Sequence, residues 1–290
     1  MPEPFQYGGQ AVIEGVMMRG PKEMAVAVRK QAGDIVIDTK PINSLAQKYP
    51  FLKWPLLRGV LALFEAMVIG VKVLTYSANM AFDEEEETLS GREIAFTVFL
   101  AVGLAVLLFV IIPAAAAFFL KAYVNTFWQN ILEGVLRIAI FLGYVLAIGR
   151  MSDVQRVFQY HGAEHKVIHA YEAGEKLTVD NARKYTTLHP RCGTSFMLFV
   201  LVLTIFLFSF LHTPDILSRI ASRLLLLPVV AGLGYEFIKW SGKYACRSWV
   251  KAIIAPGLWL QKLTTREPDD SQLEVAICAL EAVLARDSTC

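Results

Sequence analysis

The chain has 290 residues, of which 55% are hydrophobic and 19% charged, and its mean hydropathy is +0.47. Those proportions exclude a disordered or low-complexity chain, which would be poor in apolar residues, and argue against an ordinary soluble enzyme, because the apolar excess falls in a few long runs. The formal net charge of +2 gives no basis for a nucleic-acid partner, so a membrane protein with substantial polar parts is expected.

Residues 1–53 read as a β-rich segment. The opening MPEPFQYGGQ has neither the basic nor the apolar region of a secretory signal. In QAVIEGVMMRG, Val12, Glu14 and Val16 alternate with Ala11, Ile13 and Gly15 in a weak period of two. MAVAVRK and DIVIDTK flank the turn-like QAGD, which predicts a hairpin and, with the preceding segment, a small β-meander.

Residues 54–94 follow as a helix and a linker. Trp54 to Phe82 is largely apolar, with Pro55 placed to open a helix. Its charges Arg58, Glu65 and Lys72 recur every seven residues and share one narrow stripe. A helix in the membrane interface or lining a polar cavity would fit. The expectation is an amphipathic helix packed on the protein with the stripe wet. The acidic run Asp83 to Glu87 reads as a solvated linker.

Four apolar stretches come next. Ala95 to Leu120 carries no charge over 26 residues, enough to cross about 30 Å of hydrocarbon. Ile131 to Gly149 completes a first pair over residues 95–149, with Glu133 and Arg137 near one end. Phe196 to Leu211 is purely apolar but short. Leu224 to Trp240 includes Pro228, Gly232, Gly234 and Glu236, and forms with its predecessor a helical hairpin over residues 195–240. The fold class expected is therefore mainly α and integral to the membrane: about four transmembrane helices, an amphipathic helix, the N-terminal meander and a C-terminal helix.

Lys and Arg set the orientation. Ten precede the first span, one lies in its connection to the second, seven lie between the second and third, two in the next short loop, and seven from Lys239 onward. This alternation puts the N-terminus, the loop at 150–194 and the C-terminus in the cytoplasm of a multi-pass cell-membrane protein. The four cysteines (Cys192, Cys246, Cys278, Cys290) are far apart, match no disulfide scaffold, and fit that reducing side. The C-terminal part, 241–290, contains EPDDSQLEVAICALEAVLARD. There Leu273, Ala276, Leu280 and Leu284 fall at helical spacing behind Asp269, Asp270 and Ser271, a pattern that starts a helix needing a partner surface. Cys278 is expected in its core.

Four of the five histidines fall between residues 150 and 194. SDVQRVFQYHGAEHKVIHAYEAG opens with Ser152 three residues before Gln155, a capping-box pattern, and ends at Gly174. A helix over 153–173 is expected. At about 100° per residue, Val154, Val157 and Phe158 share a stripe with His161, Glu164, His165, Ile168, His169 and Glu172, while Gln155, Arg156, Gln159 and Lys166 point the other way. HGAEH is an H-x-x-E-H sequence, the reversed zincin motif. It would offer His161 and His165 to a divalent metal, zinc above all, with Glu164 beside them as a general base. Further ligands could come from His169, Glu172, His189 or Cys192 within the loop, or from Glu14 or Glu236 outside it. An imidazole network that binds protons instead of metal would use the same stripe.

In LHPRCGTSF, Pro190 and Gly193 enforce a turn before the third span. His189 and Cys192 could share a metal, and Arg191 could hold an anion or a lipid headgroup. A Cys–His nucleophile pair and a plain tight turn are the rival readings. His212 is expected in a loop on the far side.

YGGQAVIEGVMMRG at 7–20, YHGAEHKVIHAYE at 160–172, HPRCGTSF at 189–196, GYEFIKW at 234–240 and APGLWLQKLTTREPDD at 255–270 carry a resemblance over nearly the whole chain. It is to the YqhQ-like family of bacterial multi-pass proteins, labelled as metal-dependent enzymes without an assigned reaction. The resemblance adds Arg19 and Lys166 to Arg191 as residues that could meet a substrate or headgroup. The function expected is a metal-dependent hydrolase at the cytoplasmic membrane interface. Its substrate would be a lipid, a lipid-linked compound or a membrane-protein segment. The alternative is a transporter or assembly scaffold, in which the cluster is a structural metal site or proton relay and the chain forms a homo-oligomer.

Overall fold

A computed structural model describes residues 7–81, 91–244 and 247–288. The acidic run at 83–87, Cys246 and Cys290 lie outside the described residues. The chain is mainly helical, with three candidate membrane-spanning helices and a small N-terminal antiparallel sheet.

The sheet has four strands in sequence order: β1 (Gly8–Val12), β2 (Gly15–Arg19), β3 (Glu23–Arg29) and β4 (Ile35–Pro41). QAVIEGVMMRG is thus a hairpin, not a run in one strand. Val12 pairs with Gly15 across the two-residue loop Ile13-Glu14, and Glu14 takes a left-handed φ of 51°. A non-glycine residue there is uncommon, and Glu14 is pinned by its contacts to Arg156 and Tyr160. The expected hairpin at QAGD is β3–β4, turned through Gly33 at φ 96°.

Strand alternation sends side chains to opposite faces, and both faces are covered. Val16, Met18, Ala25 and Ala27 pack with Tyr160, Val167 and Ile168 of α4 (Ser152–Glu172) and Leu273, Ala276 and Leu280 of α9 (Asp270–Ser288). Met17, Met24, Val26 and Val28 pack with Val73 and Ala81 of α1 (Leu57–Ala81). The C-terminal helix thereby finds its partner surface. Leu273 and Leu280 are fully buried, each contributing roughly 1.5–3 kcal/mol. Cys278 lies half-buried against the same core.

The helix α1 is not among the three long apolar candidates. Its charged stripe is largely tied down instead of wet. Arg58 makes a two-pronged ion pair with Glu236 of α7 (Ile216–Lys243), and Glu65 accepts from the Ser44 hydroxyl and the Leu45 N–H. Lys72 is exposed.

The long apolar helices are α2 (Gly91–Ala122), α3 (Thr126–Ile148) and α7. The expected third span is α6 (Gly193–Ser209), 17 residues long, or about 26 Å at 1.5 Å per residue. It packs between α3 and α7. A further helix, α8 (Ser248–Thr264), packs on α6, and the short α5 (Val179–Arg183) lies between α4 and α6 in the chain. In α2, Pro113 has no N–H to give to the carbonyl four residues back. That carbonyl belongs to Phe109 in a π-helical turn at Leu107–Ile111, and it accepts from Arg137 Nε at 2.7 Å.

Arg219 and Arg223, expected in a loop, are instead fully buried in the first turns of α7. With Arg137 they donate to the carboxylate of Glu133, at 2.9 Å from Arg137, 2.8 Å from Arg219 and 2.9 Å from Arg223. Asn130 and Gln129 accept from Arg223 and Arg219. A charge at this depth is tolerated only when paired and bonded, and this network joins α2, α3 and α7. His212 lies in the adjoining loop, as expected.

Two expectations for α4 need correction. Its N-cap is Met151 with no side-chain bond, and Ser152 bonds Asp153 instead of capping through a Ser152–Gln155 box. Its second face is also covered: Lys166 is buried, bonding the Arg183 carbonyl at 3.1 Å and pairing with Glu267. The reason is α9 and the segment leading into it, which close over α4 from the side away from the histidines.

Candidate functional site

The elements converge where α4 begins to turn from apolar to polar. A cavity of about 460 Å³ opens between β1, the end of α3, α4, the turn at 189–194 and the end of α8. One wall is apolar, formed by Phe141, Val145, Phe158 and Met197. The other carries His161, Glu164, His165, His189, Arg191 and Cys192. The cavity is therefore amphipathic, and its apolar wall is shared by α3 (Phe141, Val145), α4 (Phe158) and α6 (Met197).

The histidines of α4 are aimed by backbone carbonyls. His161 Nδ1 lies 2.9 Å from the Thr264 carbonyl and His165 Nδ1 2.5 Å from the Thr187 carbonyl. A carbonyl can only accept, so both Nδ1 atoms carry a proton, and Nε2 is the atom each ring can offer to a metal. His161 Nε2 lies 3.2 Å from Cys192 Sγ. Ligand-capable atoms of His161, His165 and Cys192 all lie within 4.8 Å of one another. Two imidazoles fixed through their second nitrogen, with a thiol beside them, form a donor set suited to a transition metal such as zinc.

Glu164 stands on the same wall. Its carboxylate accepts the Gly9 N–H at 2.8 Å. Burial raises its carboxyl above the ordinary carboxylate range, against the opposing pull of His161 and the Gly9 N–H. The first strand thus holds the acid of the H-x-x-E-H sequence in place across 155 residues of chain.

His169, Glu172 and His189 form a second group whose ligand-capable atoms also lie within 4.8 Å of one another. The His169 Nε2 bonds the Leu188 carbonyl at 3.0 Å. His189 is buried, and burial, with Arg191 and the neighbouring histidines, lowers its pKa to about 4. Burial would raise the Glu172 carboxyl, but His189 and the Arg191 ion pair outweigh it and hold it at about 2.

The remaining expected residues stand apart from the histidines. Glu14 is held by Arg156 and Tyr160 at the first hairpin, and burial, then Glu14, raises the Tyr160 hydroxyl pKa. Glu236 is held by Arg58. Arg19 lines a separate cavity of about 270 Å³ with Gly8, Gly9, Gln10 and Met17. Lys166 points to Glu267, away from the main cavity.

Sequence reasoning missed Gln261, Thr264 and Gly162. Gln261 of α8 is fully buried and clamps His189 from both sides. Its carbonyl oxygen accepts the His189 N–H at 2.8 Å, and its amide donates to the His189 carbonyl at 2.8 Å. Gly162 lets the Thr264–Arg266 segment cross α4, since a Cβ there would fall 2.1 Å from the Arg266 carbonyl oxygen. That crossing is what brings the Thr264 carbonyl to His161. The only sequence signal for it is the block at 255–270.

Residues 54–286 match the family model described as "Protein of unknown function (DUF1385)". The chain is 34% identical to "Uncharacterized protein YqhQ" of Bacillus subtilis (strain 168), over 97% of its own length and 93% of that relative. No solved structure matches. With most of its length inside the family model and a full-length relative at that identity, the chain belongs to the DUF1385 family of YqhQ-like proteins.

Proposed function

We propose that this protein is a metal-dependent hydrolase of the cytoplasmic membrane face, with His161, His165 and Cys192 as ligands to a divalent cation, zinc foremost. The observation that carries the reading is the convergence of three ligand-capable atoms within 4.8 Å on the wall of a 460 Å³ amphipathic cavity. A bound cation supplies Lewis acidity there. Glu164 takes a proton from the attacking water and returns it to the leaving group. Arg191, on the same wall, orients an anionic group of the substrate. The apolar wall of Phe141, Val145 and Met197 receives an acyl or prenyl chain, so the substrate is an amphiphile such as a lipid or lipid-linked compound.

The pairing of the helix ends supports the membrane placement in this reading. At one end, Lys121 donates to the Pro214 carbonyl at 2.9 Å and Asn130 to the Leu211 carbonyl at 3.0 Å. At the other, α3 runs into α4, α6 begins at the site, and α8 ends there. Read as four passes, with α6 as a short one, this pairing and the Lys/Arg distribution support a cytoplasmic side for the sheet, the site and both termini.

The test is hydrolysis of micellar esters and phosphoesters by detergent-purified protein, with metal content measured alongside. Glu164→Gln should keep the metal and lose turnover, and His165→Ala should lose both. Metal retention with turnover unchanged in Glu164→Gln would instead favour a structural clip between α4 and the 189–192 turn.

A further inference from the structure

The imidazole of His189 is buried, with Nδ1 accepting a long 3.4 Å contact from the Arg191 N–H and Nε2 without a hydrogen-bond partner, so a cation on Nε2 would move the ring proton to Nδ1 in place of that contact. An unpaired polar atom at such a depth is rare, because it has given up its bond to water and gained none in return. The Glu172 Oε2 lies 3.6 Å from His189 Nε2, too far for a hydrogen bond. A small cation between them would satisfy both.

The surroundings form a built site. His169 faces His189 with ring centroids 4.7 Å apart. His169 Nε2 is committed to the Leu188 carbonyl at 3.0 Å, which leaves Nδ1 with its lone pair. The other oxygen of Glu172 is held by Arg191, which fixes the carboxylate's direction. Gln261 fixes the His189 backbone. Two imidazoles and a carboxylate make a three-ligand set with an open position, as found in catalytic zinc sites.

This group adjoins the first. The rings of His165 and His189 lie 5.5 Å apart, centroid to centroid, so the four imidazoles form one row: His161, His165, His189, His169. We propose that His169, Glu172 and His189 bind a second divalent cation next to the one assigned to His161, His165 and Cys192, making the site dinuclear. The inference rests on that first assignment. Two cations held there would supply Lewis acidity for a displacement, and with Arg191 on the same wall the substrate class favoured is a phosphoester of the amphiphile.

The experiment is titration of metal-stripped, detergent-purified full-length protein with zinc alone, read by calorimetry and by bound metal per chain. Wild type should take up two equivalents. His169→Ala and Glu172→Gln should each take up one, and their cobalt-loaded forms should keep the thiolate-to-cobalt absorption of Cys192. Cys192→Ser should also bind one equivalent, without that band. Circular dichroism on each variant confirms that the helices persist, and Glu172→Gln, being nearly isosteric, covers any failure of His169→Ala to fold. One equivalent in wild type, abolished by Cys192→Ser and untouched by Glu172→Gln, overturns the second site and leaves the first standing. One equivalent abolished by Glu172→Gln and untouched by Cys192→Ser overturns both the first assignment and the pairing. Two equivalents in both His169→Ala and Glu172→Gln also overturn the second site.

Discussion

The Nε2 atom of His161 lies 3.2 Å from the Sγ of Cys192, across 31 residues of chain. Cys192 is also the N-cap of α6, where its sulfur accepts the Thr194 N–H at 3.5 Å. One side chain thus starts an apolar helix and faces the imidazole that the H-x-x-E-H sequence supplies. Serine can replace it as a cap but not as a soft ligand. Cys192→Ser should therefore keep the unfolding midpoint close to wild type while weakening zinc binding by more than about 100-fold, beyond what loss of an outer partner costs. Competition with a chromophoric chelator measures it, and unchanged affinity would exclude the thiol as a ligand.

Gly162 offers a way to disturb the site without touching a ligand. A methyl group there meets the Arg266 carbonyl oxygen and pushes the Thr264 carbonyl away from His161 Nδ1. Gly162→Ala should cost about 1–3 kcal/mol through overpacking and lower zinc affinity about 10–100-fold through the lost carbonyl. Thermal unfolding and the same chelator competition read the two effects separately. A stability loss with no change in zinc affinity would mean that the carbonyl does not orient the ring.

Glu133 accepts hydrogen bonds from three buried arginines. Removing it leaves three guanidinium groups facing each other in a dry interior. Glu133→Gln should lose about 3–5 kcal/mol, a greater loss than Arg219→Gln, which removes one of three cations and leaves the carboxylate paired. Unfolding in mixed micelles with increasing dodecyl sulfate would rank the two. The reverse order would contradict the hub role of Glu133.

The proposed topology makes a labelling prediction. Single cysteines placed at Glu175 and Asp215, in a background with the four native cysteines changed to serine, should behave oppositely in intact cells. A membrane-impermeant maleimide should label position 215 and leave position 175 unlabelled until the cells are opened. The opposite pattern would invert the orientation read from Lys and Arg.

Much of the fold was legible because hydrophobic periodicity is a local signal. The face of α9 with Leu273, Ala276 and Leu280 was readable, as was the stop of α4 at Gly174, which takes φ 75°. The His/Glu stripe was readable for the same reason, since residues three and four apart share a helical face. Contacts made by the backbone were not. Nothing in a side-chain pattern says that the Thr187, Leu188 and Thr264 carbonyls will meet three imidazoles, or that the Gly9 N–H will meet Glu164. The arginine cluster did leave a trace: Glu133 and Arg137, and Arg219 and Arg223, are each four apart at the start of an apolar helix. Taken as loop residues, Arg219 and Arg223 lost that meaning. The hairpin at Glu14 escaped because a non-glycine residue in the left-handed region carries no compositional mark.

The Gly9–Glu164 bond and the packing of α9 on the strands fix an order of assembly during synthesis. The strands at residues 8–41 leave the ribosome before the helices that cover one of their faces, α4 and then, about a hundred residues later, α9. Until α4 and α9 have been made, Val16, Met18, Ala25 and Ala27 lack the partners that cover them in the fold. They form an exposed strand surface of the kind that draws chaperones and invites mispairing. The cavity wall gains its acid only when residue 164 returns to strand β1, and the Thr264 carbonyl reaches His161 about a hundred residues later in synthesis. A chain stalled before α8 would therefore hold His161, His165 and Cys192 without the Thr264 carbonyl that orients His161, so that imidazole takes its fixed direction only once α8 has been made.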